Sequence, residues 1–160
     1  MYRYRLSLFK GENFRFTSHL DLVNAICRAI RRTDLPVAFT EGFNPRIKYS
    51  YCLPLPLGYT SECELMDIFL QSSAGNNFFV NPEEVQKLLN EKLPQDVSVT
   101  KCELVDLKSP TLSSRVKSAT YILKLAYDEQ FNANSKSQTQ NTEPRIPNEE
   151  DIFALETNGQ

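Results

Sequence analysis

Residues 2–9 read Tyr2-Arg3-Tyr4-Arg5-Leu6-Ser7-Leu8-Phe9 and alternate between two kinds of side chain. The even positions carry aromatic and aliphatic groups, whereas the odd positions begin with two arginines and a serine. A period of two is typical of a β-strand that buries one face. We therefore predict that the chain opens with a strand whose even-numbered side chains face the core.

A helix is predicted next, from residue 19 to about residue 33. Ser18 is a favourable N-cap, and Asp21 places an acid in the first turn. Apolar residues at helical spacing predict a buried stripe, formed by Leu22, Val23, Ile26, Ala29 and Ile30. The opposite side is polar and basic, with Asn24, Arg28, Arg31 and Arg32.

The remaining elements follow from the same periodicities. Strands are predicted at residues 37–40, 47–51, 62–70, 97–104 and 119–127. Asn81 as N-cap, followed by Pro82, predicts a second helix. Proline and leucine alternate over residues 53–58. Proline has no N–H for a strand ladder, so this segment cannot be a central strand.

The order of these elements predicts an α+β fold, a ferredoxin-like β-α-β-β-α-β sandwich with an extra C-terminal strand. Two helices would cover one face of an antiparallel sheet and leave the other face open. We assign this domain to residues 1–127. Residues 128–160 are polar and acidic and are expected to be a disordered tail, with one small apolar island at residues 152–155. That island is either a docking segment or a remnant.

Composition favours a soluble cytoplasmic protein with an anion-facing surface. No apolar run approaches the ~20 residues of a membrane-spanning helix, and no signal-peptide pattern is present. Residues 1–56 hold nine Lys and Arg against four acids, whereas residues 129–160 hold two against six. Such asymmetry suggests that the N-terminal part binds an anionic partner.

Four cysteines are present: Cys27, Cys52, Cys63 and Cys102. They form no CxxC pair and no CxxxCxxC triplet, so zinc and iron–sulfur sites are not expected. Each lies in an apolar stretch, which predicts small buried thiols without disulfides. We expect no metal and no cofactor in this chain.

Candidate binding residues surround the start of the first helix and the loop at residues 41–48. His19 is the single histidine, and the positive end of the helix dipole favours its neutral form. It either binds a ligand or packs locally.

Asparagine, arginine and lysine side chains suit a phosphate or carboxylate. The ligand-binding candidates are Ser18, His19, Arg28, Arg32, Asn44, Arg46, Lys48 and Glu64. Phe43, Tyr49 and Tyr51 offer stacking faces, as in proteins that bind single-stranded nucleic acid.

A second cluster is acidic. Strand geometry places Glu62 and Glu64 on one face and Asp67 on the other, so they do not form a two-carboxylate acid–base pair. Asp67 lies among apolar residues and needs a partner if it is buried. Arg3 or Arg5 is the expected partner, in a structural ion pair.

Motifs for catalysis are missing. The sequence contains no phosphate-binding glycine loop, GxSxG or HExxH. His19 and Asp21 are the catalytic candidates, but no complete site surrounds them. The residues favour a binding domain over an enzyme.

Several ordered blocks carry a family resemblance: FTSHLDL (16–22), RAIRR (28–32), LPVA (35–38), EGFNP (41–45), PLPLG (54–58) and ELMDI (64–68). Over roughly residues 2–127 they resemble the radical SAM-linked domain of unknown function, DUF2344. That family often places His-Pro after the Asn-Pro pair, whereas Arg46 and Ile47 stand here. The C-terminal part is also shorter than in the family, as expected of a shortened member.

The resemblance implies an accessory, substrate-binding module for a radical SAM protein. That partner would carry the iron–sulfur cluster and S-adenosylmethionine. RNA, either tRNA or rRNA, is the expected substrate by charge and aromatic content. Two alternatives stay open: a small stand-alone enzyme using His19, Asp21 and Glu64, and a protein–protein adaptor.

Overall fold

The computed structural model describes residues 1–71 and 79–123 and the backbone of residues 154–156. The chain divides into two compact units, Met1–Arg115 and Val116–Gln160. The first unit contains β1 (Tyr2–Lys10), α1 (His19–Arg31), β2 (Tyr49–Tyr51), β3 (Ser61–Leu70), α2 (Pro82–Asn90), β4 (Val97–Val105) and α3 (Leu112–Arg115).

Four strands form one antiparallel sheet in the order β2-β3-β1-β4. β3 therefore lies between β1 and β2, which are joined through α1. This is the split arrangement of a ferredoxin-like sandwich. The predicted α+β fold is confirmed, and so is the central position of β3.

The core lies between the sheet and the first two helices. β1 contributes Tyr4, Leu6 and Leu8, and the paired β3 contributes Met66, Ile68 and Leu70. α1 buries the stripe predicted for it, and α2 adds Val85 and Leu89. Burying large aliphatic side chains stabilises a domain by about 1.5–3 kcal/mol each. This shared core fixes both helices on one sheet face, as predicted.

The second sheet face is partly covered, which corrects the expectation of an open face. Arg3 on this face donates hydrogen bonds to the carbonyls of Ser109 (2.6 Å) and Pro110 (3.0 Å). Leu112 in α3 is buried, and α3 contacts β2 and β3. We call residues 106–115 the strap. The sequence did not predict it because four-residue helices have no clear periodicity.

Other predicted elements are shorter than expected. Residues 37–40 form isolated bridges, Val37 with Leu70 and Phe39 with Ile47, and not a continuous strand.

In the second unit, β5 (Ser118–Thr120) pairs antiparallel with β6 (Ala154–Glu156). The strand predicted at 119–127 therefore ends early within the part that is described. Its last four residues, and most of the predicted tail, lie outside the described residues. The backbone of residues 154–156 is extended in β6.

Among the described residues, the helices are too short and too polar to span a membrane.

Candidate functional site

The start of α1 is a local capping structure. The side chain of Ser18 accepts a hydrogen bond from the backbone N–H of Asp21 (3.2 Å) and donates to the Asp21 carboxylate (2.6 Å). A serine in this position satisfies an N–H that the helix itself leaves without a partner. The two candidate residues are therefore brought together, and each already has the other as its partner.

His19, the first residue of α1, packs against β2. Its ring meets the ring of Tyr51 edge-on, with 4.5 Å between the centroids. Nδ1 of His19 is buried and has no hydrogen-bond partner among the described residues. A buried polar atom without a partner is costly whether or not it carries a proton, so Nδ1 of His19 is an orphaned polar atom beside the Tyr51 ring.

Tyr51 links His19 to Glu64. The Tyr51 hydroxyl donates to Oε2 of Glu64 (3.2 Å). Burial, together with the charge and hydrogen bond of Glu64, raises the pKa of Tyr51 far above its usual range. The hydroxyl therefore stays protonated at neutral pH, where it orients Glu64 and does not act as a base.

Lys10 lies beneath the same helix start and is only 1% exposed. Its ammonium group donates to the carbonyl of Thr17 (3.1 Å). Burial lowers the pKa of Lys10, and the charge of Glu64 acts in the opposite direction. We call Lys10, His19, Tyr51 and Glu64 the helix-start cluster. The sequence offered a signal for Lys10, because position 10 continues the even-numbered buried face of β1.

A hairpin projects from the edge of the sheet between Ala38 and Tyr49, and both of these residues pair with β3. The N–H of Ala38 donates to the carbonyl of Phe69, and the N–H of Lys48 donates to the carbonyl of Ala38, each at 2.7 Å. The ladder then resumes with Tyr49 opposite Ile68. We call residues 39–48 the edge hairpin. Two hydrogen bonds between Thr40 and Arg46 close its stem. The N–H of Thr40 donates to the carbonyl of Arg46 (2.7 Å), and the N–H of Arg46 donates to Oγ1 of Thr40 (3.0 Å).

The tip of the edge hairpin presents polar, basic and aromatic groups to solvent. Asn44 and Arg46 are exposed, and their side chains have no hydrogen bond or ion pair within the described part of the chain. The ring of Phe43 is fully exposed. At the base, Nζ of Lys48 lies 5.3 Å from the centroid of the Phe69 ring, a cation–π distance. This arrangement can recognise an anion.

A sequence model of an uncharacterised protein family conserved in bacteria, DUF2344, matches residues 3–157. The chain belongs to the DUF2344 family. The match extends past residue 127, where the resemblance noted from the sequence ended. No curated protein matches the chain.

In this DUF2344 chain, two of the predicted ligand-binding arginines lie away from the helix start. Arg32 follows the last turn of α1 and donates to the carbonyl of Lys92 (2.7 Å), beyond the end of α2. Arg32 is thirteen positions after His19, which corresponds to about 20 Å along the helix. Arg28 is exposed on the solvent side of α1. The candidates therefore divide between the two ends of α1.

Asp67 has a structural role, as predicted. Its buried carboxylate accepts hydrogen bonds from Nε of Arg3 (2.8 Å) and Nε of Arg5 (2.9 Å), on strands that pair in register. Both predicted partners are used. The triad lies on the sheet face opposite the helix-start cluster, so the carboxylates of Asp67 and Glu64 do not share a site.

The cysteines divide by exposure. Cys27, Cys52 and Cys102 are half-buried and free, whereas Cys63 is exposed, so the prediction of four buried thiols is wrong for Cys63. The pattern misleads there because β3 becomes apolar on both faces only after residue 64. Within the described ranges, no three side chains of the His, Cys, Asp or Glu types are grouped for a metal ion.

Proposed function

We propose that this chain is an accessory substrate-binding module of a radical SAM enzyme system, and that it presents RNA for modification. The resemblance to a radical SAM-linked domain, given above from the sequence, supports this part of the proposal. In this proposal the partner protein supplies the iron–sulfur cluster and S-adenosylmethionine. The module works in the cytoplasm and contributes no cofactor.

The edge hairpin is the observation that carries the RNA part of the proposal. Arg46 and Asn44 are exposed and have no side-chain partner among the described residues, and Lys48 lies at the base of the same hairpin. Arginine, lysine and amide side chains are the groups that most often contact phosphate oxygens. Their closeness in a short segment provides several phosphate contacts without rearrangement of the fold.

The sheet face that many ferredoxin-like RNA-binding domains use is a poor candidate here. RNA-recognition domains of that kind stack bases on aromatic residues of the open sheet face. In this chain the corresponding face carries Arg3 and Arg5, already bound to Asp67, and is partly covered by the strap. The hairpin side of the molecule therefore offers the better RNA surface.

The test measures the affinity of the chain for a single-stranded RNA, by fluorescence anisotropy, at several salt concentrations. Arg46→Glu should weaken binding, because it replaces a cation of the edge hairpin with an anion. Neutral Arg46→Gln should lower the slope of log affinity against log salt by about one phosphate contact. Lys87→Glu, an exposed substitution on α2, is the matched control and should lower the affinity less.

Two results would count against the proposal. One is an RNA affinity too weak to measure at low salt. The other is an equal loss in Lys87→Glu and Arg46→Glu, which would reflect net charge alone. The radical SAM link is tested separately, by co-purification of the tagged chain from a bacterium that contains a family member. No enrichment of a radical SAM protein would remove that link.

A stand-alone enzyme is the second candidate, because Tyr51 brings His19 and Glu64 into one cluster. Asp21 does not join them by any described hydrogen bond and is bound to Ser18 instead. An enzyme of this kind would modify RNA without the partner protein. We expect the isolated chain to leave RNA unchanged by mass spectrometry, and a modified product that disappears with His19→Asn would favour the enzyme.

A further inference from the structure

Four aromatic side chains lie in or near the edge hairpin, and the structure separates their roles. Phe39, in the stem, is 45% exposed and forms a bridge with Ile47. Tyr51 is half-buried, with its ring against His19 and its hydroxyl on Glu64. Tyr49 is 40% exposed and lies within the β2 ladder. Phe43 is 100% exposed at the hairpin tip. Only Phe43 presents its ring without a covering contact from the described residues.

The exposed ring of Phe43 contributes little to the free energy of folding, because water surrounds it in the folded and the unfolded chain alike. Its whole face is therefore open to a ligand. The cations of Arg46 and Lys48 lie close in sequence, and Arg46 is three residues away, a backbone span of at most about 10 Å. An aromatic ring near cationic side chains is the combination with which proteins bind unpaired nucleotides.

We propose that Phe43 stacks on an unpaired base of single-stranded RNA while Arg46 contacts a neighbouring phosphate. This inference rests on the proposed function and names the part of the RNA that the edge hairpin recognises. Duplex RNA does not fit the role, because its bases are stacked on one another and offer no free face.

The stem of the edge hairpin fixes the backbone that carries the two groups. Thr40 and Arg46 close the stem with two hydrogen bonds. Gly42 has φ of 130°, a conformation that other residues rarely adopt, and it allows the chain to turn before Phe43. Pro45 fixes one further dihedral. A pre-ordered tip loses less conformational entropy on binding than a flexible loop would.

The experiment compares variants at Phe43 on one single-stranded RNA and on the same sequence as a duplex. Phe43→Ala should weaken single-strand binding by roughly tenfold or more, as expected for the loss of one stacked base. Phe43→Trp should retain the affinity. The salt slope should stay unchanged in Phe43→Ala and fall by about one in Arg46→Gln. Duplex affinity should not respond to Phe43→Ala.

Thermal unfolding of each variant controls for folding, and the exposed ring predicts unchanged stability. Equal single-strand affinity of Phe43→Ala and the wild type would overturn the inference and leave the proposed function standing. Unchanged RNA affinity with weaker co-purification of the radical SAM protein would also overturn it, because the tip would then be a protein contact. A wild type that binds no RNA would overturn the proposed function itself.

Discussion

Asp67 shows how one residue holds two strands in register. Its carboxylate is fully buried and bonds to arginines that are 4% and 15% exposed. Asp67→Asn removes the negative charge and leaves two guanidinium groups with no counter-charge in a site with little water. We expect the free energy of unfolding in urea to fall by about 3–5 kcal/mol. Asp34→Asn, an exposed control, should change it by less than about 0.5 kcal/mol. A loss below about 1 kcal/mol for Asp67→Asn would mean that water reaches the triad.

The thiol of Cys102 should make the free energy of unfolding depend on pH. Burial, with a smaller effect from Glu103, raises the pKa of the Cys102 thiol to about 12 from 9.0. Between these values the unfolded chain loses the thiol proton while the folded chain keeps it, so this thiol lowers stability as pH rises. Stability of Cys102→Ala, measured in urea from pH 8 to pH 11, should fall less steeply than that of the wild type. Cys63→Ala, at the exposed cysteine, should follow the wild type. Parallel curves for Cys102→Ala and wild type would contradict the raised pKa.

At the scale of elements, α1 depends on its N-cap. Ser18→Ala removes the oxygen that accepts from the N–H of Asp21, and we expect a loss of about 1 kcal/mol in the free energy of unfolding. Ser18→Thr keeps the hydroxyl and should lose less. Urea denaturation followed by circular dichroism checks both. Equal stability of Ser18→Ala and wild type would show that another group satisfies this N–H.

The helices and long strands could be predicted because each has a strong period and clear end signals. Ser18 and Asn81 identify the starts of α1 and α2, and the buried stripe of α1 follows from spacing alone. The segment at residues 37–40 could not be predicted well. Its backbone bonds go partly to β3 and partly to its own hairpin, which depends on tertiary contacts and not on local pattern.

Part of the candidate site was predictable for the same reasons. His19 and Glu64 were selected from the sequence, but Tyr51 joins them across β2 and β3, and only the strand register shows this. The sequence also grouped Arg28 and Arg32 with the helix start. A helix rises about 1.5 Å per residue, so Arg28 and Arg32 lie towards the opposite end of α1 from His19.

At the scale of the whole first unit, Arg3 connects the sheet to the strap. Arg3→Lys keeps the charge but loses the planar fork that reaches Asp67 and two carbonyls together. We expect trypsin to cleave after Lys108 faster in this variant, because the strap opens more often. Arg31→Lys on the exposed side of α1 is the control and should be cleaved at the wild-type rate there. The same cleavage rate in Arg3→Lys and wild type would show that Leu112 holds the strap alone.

The closure of the edge hairpin by Thr40 and Arg46 separates its tip, residues 41–45, from the residues that form the core. The N–H of Thr40 bonds to the carbonyl of Arg46 across the stem, at a position where a two-residue turn such as Asn-Gly can close a hairpin. Residues 41–45 can therefore be exchanged for a shorter or different turn while Ile47 stays in the core. Insertions and deletions in this tip can change what the hairpin contacts without altering the hydrophobic core. If residues 41–45 were exchanged between two members of the family, the ligand preference should follow the exchanged tip.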